Sequence, residues 1–186
     1  MRAIMVGPPG SGKGTQCGLI QSRLGISVIA TGDVFRERMK TDMALRDIVS
    51  SGGYVSDSTT NRIVEDCLDK EDVSSGFVLD GYPRTLQQLD FLEGFLKRRA
   101  LTLDAVFSLE VATDLLIERL RARSKESCRT DDRDSVIARR LEIYTEMTLP
   151  IIDACEEKGL LHRIDASKGI EEVFQSIKDV FDRVAI

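Results

Sequence analysis

The run Gly7-Pro8-Pro9-Gly10-Ser11-Gly12-Lys13-Gly14-Thr15 holds the residue types and spacing with the most chemistry in them. Glycines let backbone N–H groups turn inward around oxyanions, a lysine adds a mobile point charge, and a helix starting there directs its positive end at the same spot. Ala3-Ile4-Met5-Val6 in front reads as a strand and Gln16-Cys17-Gly18-Leu19-Ile20 behind as a helix, which is the setting a phosphate cradle needs. The general pattern has a hydroxyl residue directly after the lysine. Here Gly14 intervenes and the hydroxyl comes at Thr15, a departure that points to a subgroup. The loop implies a nucleoside triphosphate ligand.

Arginines supply the second signal. Arg36, in Thr31-Gly32-Asp33-Val34-Phe35-Arg36, and Arg84, in Asp80-Gly81-Tyr82-Pro83-Arg84-Thr85, each follow an apolar run, so each is expected at the start of a helix beside the loop. Two such cations at one strand edge suggest a second phosphorylated ligand. Arg119, Arg123, Arg129 and Arg140 follow further on, partly interleaved with Asp131, Asp132 and Asp134. Guanidinium groups bind phosphate oxygens bidentately and keep their charge, so the set as a whole fits phosphoryl transfer better than a solvated surface.

The elements that must position these groups read as alternating strands and helices. Short apolar runs at Val28-Ile29-Ala30, Phe77-Val78-Leu79, Ala105 to Leu109 and Leu160 to Ile164 are continuous, as strands buried on both faces should be. Helical spacing links Leu86, Leu89, Leu92 and Leu96, then Ile137, Leu141 and Tyr144, then Val173, Ile177, Val180 and Val184. Such alternation predicts an α/β fold with a parallel sheet. Thr113-Asp114 and Asp134-Ser135 read as helix caps, and Pro150 as a bend or break in the helix that begins near Ser135. Thr31 to about Val73 and Ser124 to Asp134 do not fit the sheet, and read as excursions over its carboxyl edge, where ligands bind in such folds.

With 186 residues, 42% of them apolar, one domain is expected. A net charge of −5 argues against a general nucleic-acid or anionic-membrane binder. Cys17, Cys67, Cys128 and Cys155 lie far apart, which predicts neither a zinc knuckle nor a disulfide framework. No apolar run has membrane-spanning length, and only Met1 and Arg2 precede the first strand, so a cytoplasmic protein is expected. The one histidine, His162, falls in the last predicted strand and reads as a core or edge residue.

Gly7 to Gln16, Thr31-Gly32-Asp33 with Arg36, Asp80 to Thr85 with Gln88, Arg129-Thr130-Asp131-Asp132 and Arg139-Arg140-Leu141 occur together in an order and spacing that resembles the adenylate kinases. The resemblance implies a P-loop NTPase-type three-layer fold with a five-stranded parallel core (1–30, 61–122 and 135–186). It also implies two mobile excursions, one binding the monophosphate (31–60) and a short lid (123–134). By the same resemblance, Gly10, Ser11, Gly12, Lys13, Gly14, Thr15, Arg119, Arg123 and Lys168 would bind ATP, Arg119 by packing on the adenine. Thr31, Gly32, Arg36, Gly53, Tyr54, Val55, Gly81, Arg84, Gln88, Arg129 and Arg140 would bind AMP, with Thr31 and Gln88 reading the base. Lys13, Arg84, Arg123, Arg129 and Arg140 would act in transfer, and Asp80 would hold Mg²⁺ through water. A monomer with ATP and AMP as partners, and no structural zinc, is implied.

Two departures stand out: Ser124 and Cys128 replace the glycines that usually flank a lid of this length, and Ser58-Thr59 replaces an acidic and apolar pair. The rival readings are a UMP or CMP kinase, a kinase for a hydroxyl acceptor, and a silent nucleotide-binding regulator. Pyrimidine monophosphate kinases usually carry alanine at Thr31 and asparagine at Thr85 and lack Gln88. A hydroxyl acceptor would want a dedicated carboxylate base, and a silent regulator would be expected to lose Arg84, Arg123 or Arg140.

Overall fold

The computed structural model describes residues 1–50, 53–70, 75–126 and 134–184. Its sheet contains β1 (Arg2–Val6), β2 (Ser27–Ala30), β3 (Phe77–Asp80), β4 (Ala105–Glu110) and β5 (Leu161–Asp165). All pairings are parallel, in the order β2-β3-β1-β4-β5. The inner strands are apolar at nearly every position because both faces are covered. β2 and β5 lie at the edges and are only partly buried, which is why His162 and Arg163 are tolerated in β5.

Alternation along each strand divides the core in two. Ile4, Val6, Leu79 and Val106 pack with α4 (Asp57–Leu68), α5 (Leu86–Lys97) and α8 (Leu149–Glu157). Ala3, Met5, Val78 and Phe107 face the other way, toward α1 (Lys13–Leu19) and α9 (Ile170–Val184). The connections are α2 (Thr31–Arg38), α3 (Met43–Ser50), α6 (Thr113–Glu126) and α7 (Asp134–Ile143). Phe35, Leu45, Val55 and Ile63 form a small separate cluster, while Val64 and Leu68 of the same α4 join the main core. α4 thus straddles the expected boundary at residue 60.

Local signals account for the helix ends. Ser56 caps α4, and the Thr85 hydroxyl caps α5 by accepting from Gln88 N at 3.1 Å. The cap expected at Thr113-Asp114 is displaced: both residues are inside α6, and the Ala112 carbonyl accepts the Leu116 N–H at 3.1 Å. The interruption expected at Pro150 takes the form of a change of helix type just ahead of it. Pro150 stands in the first turn of α8, where no N–H is required, and the turns before it, Tyr144–Thr148, widen to a π-helix that joins α7 to α8.

Among the described residues no helix is long and apolar enough to cross a membrane.

Candidate active site

The ends of three strands are level: Met5 and Ala30 both pair with Asp80, so the loop after β1, the start of α2 and the Asp80-Gly81 segment open at one sheet edge. β1 and β3 are neighbours whose connections run to opposite sides of the sheet, and a crevice opens where this happens. It holds a cavity of about 620 Å³, whose walls include Gly10, Gly12, Lys13, Gly14, Thr15, Asp80, Arg84, Arg123 and Arg140.

The loop reaches its shape through left-handed backbone. Gly10 (φ +86°) and Gly12 (φ +96°) take angles that a side chain disfavours, and a Cβ at Gly10 would stand 2.9 Å from Leu120 Cγ of α6. Lys13 Nζ donates to the carbonyls of Gly7 (2.6 Å) and Pro8 (3.0 Å). Removal from water lowers the Lys13 pKa to about 8, with Arg84 and Arg140 pushing the same way and Asp80 opposing them. Burial raises the Asp80 pKa, while Lys13, Arg84 and Arg36 counteract this. The crevice therefore crowds cations around one carboxylate, an arrangement complementary to a polyanion.

The arginines converge from separate elements. Arg36 lies in the last turn of α2, not at the start of a helix as expected, and pairs with Asp33. Arg84 lies just ahead of α5; its Nε donates to Gly81 O at 2.8 Å, and its carbonyl accepts from the Thr148 hydroxyl at 3.2 Å. Arg123 comes from α6 and Arg140 from α7. Arg129 and Cys128 fall outside the described residues, as does most of the expected lid.

A smaller cavity of about 80 Å³ is lined by Gly32, Arg36, Gly53, Tyr54, Val55, Gly81, Arg84, Gln88 and Arg140. Most of these also line the larger one, so the two spaces adjoin across Arg84 and Arg140. Gln88 is 1% exposed. Its Oε1 accepts from Arg84 N (2.7 Å), and its Nε2 donates to Asp57 Oδ1 (2.6 Å) and the Tyr54 hydroxyl (2.7 Å). Burial, with Asp57 alongside, raises the Tyr54 pKa and keeps the phenol neutral.

Other expected residues are differently disposed. Thr31 is buried, and its hydroxyl donates to Asp80 O at 3.0 Å, which ties α2 to the end of β3. Ser11 is buried within the loop, its N–H bonded to Pro8 O at 3.1 Å. Arg119 donates to Ala166 O at 2.9 Å, two residues before Lys168; neither Arg119 nor Lys168 lines the two cavities. Sequence reasoning assigned no role at the site to Asp57 and Thr148, whose partners lie far along the chain, or to Tyr144, which lines the larger cavity. Among the described residues no three His, Cys, Asp or Glu side chains gather as a metal cluster, and Cys17, Cys67 and Cys155 are unbridged.

A family model described as adenylate kinase matches residues 5–160. An adenylate kinase of Tropheryma whipplei (strain Twist) is 99% identical over 186 residues, covering both chains fully. The adenylate kinase of Kocuria rhizophila is 41% identical over 98% of this chain and 99% of its own, and that of Pseudarthrobacter chlorophenolicus is 43% identical over 92% of each. A match over most of the domain, full-length relatives and a phosphate loop facing converging arginines agree: the chain belongs to the adenylate kinase family, enzymes that transfer phosphoryl groups between nucleotides.

Proposed function

We propose that this chain transfers the γ-phosphoryl group of ATP to AMP, reversibly and with Mg²⁺, giving two ADP and so balancing the adenine nucleotide pool. The observation that supports this most directly is the pair of adjoining cavities, one around Lys13 and the phosphate loop, the other ending at Gln88, with Arg84 and Arg140 common to both. In that arrangement an AMP phosphate oxygen attacks the γ-phosphorus as the bond to the β–γ bridging oxygen breaks, and that oxygen leaves on ADP. The phosphate's second pKa is about 6, so its oxygen is already anionic at neutral pH and no general base is needed.

The protein's work is then positioning and neutralisation. Lys13 leaves its loop carbonyls for the β and γ phosphates, while Gly10 to Thr15 turn N–H groups toward them. Arg36 and Arg84 hold the acceptor phosphate, and Arg123, Arg129 and Arg140 gather charge around the transferring group. Arg119 and Lys168 flank the donor adenine, and Thr31, Gly32, Gly53 to Val55, Gly81 and Gln88 surround the acceptor base. Asp80 suits a divalent cation held through water: its half-buried carboxylate faces the loop, with Oδ2 3.8 Å from where a Gly14 Cβ would stand. When bound, Mg²⁺ supplies charge neutralisation on the phosphate oxygens. Closure of the excursions 31–60 and 123–134 excludes water that would otherwise take the phosphoryl group. The protein acts as a cytoplasmic monomer in this reading.

The test is a panel of nucleoside monophosphates offered with ATP and Mg²⁺, with diphosphate formation followed directly. AMP is expected to exceed UMP and CMP by orders of magnitude in kcat/KM, because a base-specific site leaves polar groups unpaired with the wrong base. Equal turnover of UMP or CMP would refute the acceptor assignment.

A further inference from the structure

Asp57 has no part in the reaction as described, yet three donors meet on its carboxylate. The Thr85 hydroxyl lies 3.1 Å from each oxygen, Gln88 Nε2 donates to Oδ1 at 2.6 Å, and the Tyr54 hydroxyl donates to the same oxygen. Across the Gln88 amide, Oε1 accepts the Arg84 backbone N–H at 2.7 Å. A carboxylate only accepts and a backbone N–H only donates, so this amide has a single orientation, nitrogen toward Asp57 and oxygen toward Arg84. Reversal would set oxygen against oxygen and N–H against N–H in a buried position.

One hydrogen of Nε2 goes to Asp57 and the other to the Tyr54 hydroxyl, so no donor remains. Oε1 has used one of its two lone pairs on Arg84 N–H. Gln88 lines the smaller cavity and can offer a ligand there only an acceptor.

We infer that Asp57 is a positioning residue that sets the acceptor-base preference: by holding the Gln88 amide in this orientation, it selects a purine with an amino group at position 6 over one with a carbonyl there. This rests on the reading that the smaller cavity takes the base of AMP.

The test compares kcat/KM for AMP and for inosine monophosphate, which carries a carbonyl in place of the 6-amino group, in the wild type, Asp57→Asn and the double variant Asp57→Asn/Gln88→Glu. An asparagine amide at position 57 can donate to a reversed Gln88, so one of the two constraints is lost, and the AMP-to-inosine monophosphate ratio should fall at least tenfold. In the double variant the carboxylate at position 88 accepts from the amide at position 57 and from Arg84 N–H and still presents an acceptor, so most of the preference should recover. The KM for ATP should stay within about twofold throughout. A purely structural role would lower both acceptors together, with the ratio intact. An unchanged ratio in folded Asp57→Asn, or no recovery in the double variant, overturns the proposal.

Should Asp57→Asn fail to fold, Tyr54→Phe carries the test, because it frees one Nε2 hydrogen and should raise inosine monophosphate relative to AMP; an unchanged ratio there also overturns the proposal. Wild-type preference for UMP or CMP would instead refute the acceptor assignment on which it rests.

Discussion

Lys13 binds its proton less firmly than an exposed lysine because burial strips water from its ammonium and Arg84 and Arg140 repel it, which outweighs the pull of Asp80 and of the loop carbonyls. Its pKa of about 8 lies within reach of ordinary buffers. A bound triphosphate adds negative charge beside the ammonium and raises that value again. The sign follows from linkage: above pH 8 the empty protein has largely lost this proton and the complex has regained it, so ATP binding takes up a proton and weakens as pH rises. Cys17, also near Lys13, does not enter this window, because burial pushes its thiol further up. Titration calorimetry at pH 8.5 in two buffers of different ionisation heat should register net proton uptake with ATP. No uptake, or release, would contradict the linkage.

At the scale of elements, the phosphate loop is set against α6 by a missing side chain. Gly12 has open space where a Cβ would go, so Gly12→Ala carries only the strain of a left-handed backbone, about 1–2 kcal/mol. A Cβ at Gly10 would also stand 3.0 Å from the Leu116 carbonyl and 2.9 Å from Leu120 Cγ, forcing α6 away. Because α6 carries Arg119 and Arg123, Gly10→Ala should destabilise more than Gly12→Ala in chemical denaturation and should raise the KM for ATP more. The glycine loop itself was legible in the sequence, since left-handed angles and a strand–helix setting are local matters. The position of Arg36 was not: whether it begins or ends α2 depends on where the helix starts, and Thr31, bonded to Asp80 O, begins it at once. Asp57 and Thr148 were equally hidden, because their partners at Gln88 and Arg84 are 31 and 64 residues away.

For the whole molecule, net charge is −5, so a site for polyanions needs its cations concentrated locally, as Lys13, Arg36, Arg84, Arg123 and Arg140 are around the larger cavity. The adjoining cavities should therefore favour one long ligand over two short ones. An inhibitor that joins two adenosines through five phosphates should raise the melting temperature more than ATP or AMP alone at matched concentration and matched ratio to Kd, since it would span both cavities. An increment no larger than that of ATP would indicate that one site alone is engaged. The five strands and their parallel arrangement were legible from short apolar runs separated by helical spacing, but their order in the sheet was not. The split of α4 between two apolar clusters was not, because periodicity marks which face is buried but not against what.

The π-helical turn ahead of Pro150 acts as a phase corrector. Residues four apart on an α-helix drift by about 40° around the axis, so Arg140, Tyr144 and Thr148 would fan out over about 80° along an unbroken α-helix. A π turn advances less per residue and takes the drift back, which is how all three come to line one cavity while Thr148 also reaches the Arg84 carbonyl. Length within 144–148 is then a functional parameter even though Glu146 itself is exposed. Inserting one residue after Glu146, which the already widened turn does not absorb, would rotate Arg140 by about 100° relative to α8 and withdraw it from the cavity, and turnover should fall at least about a hundredfold. Glu146→Ala, which keeps the count, should leave turnover near that of the wild type. In this helix, angular phase matters more than the identity of the residue that maintains it.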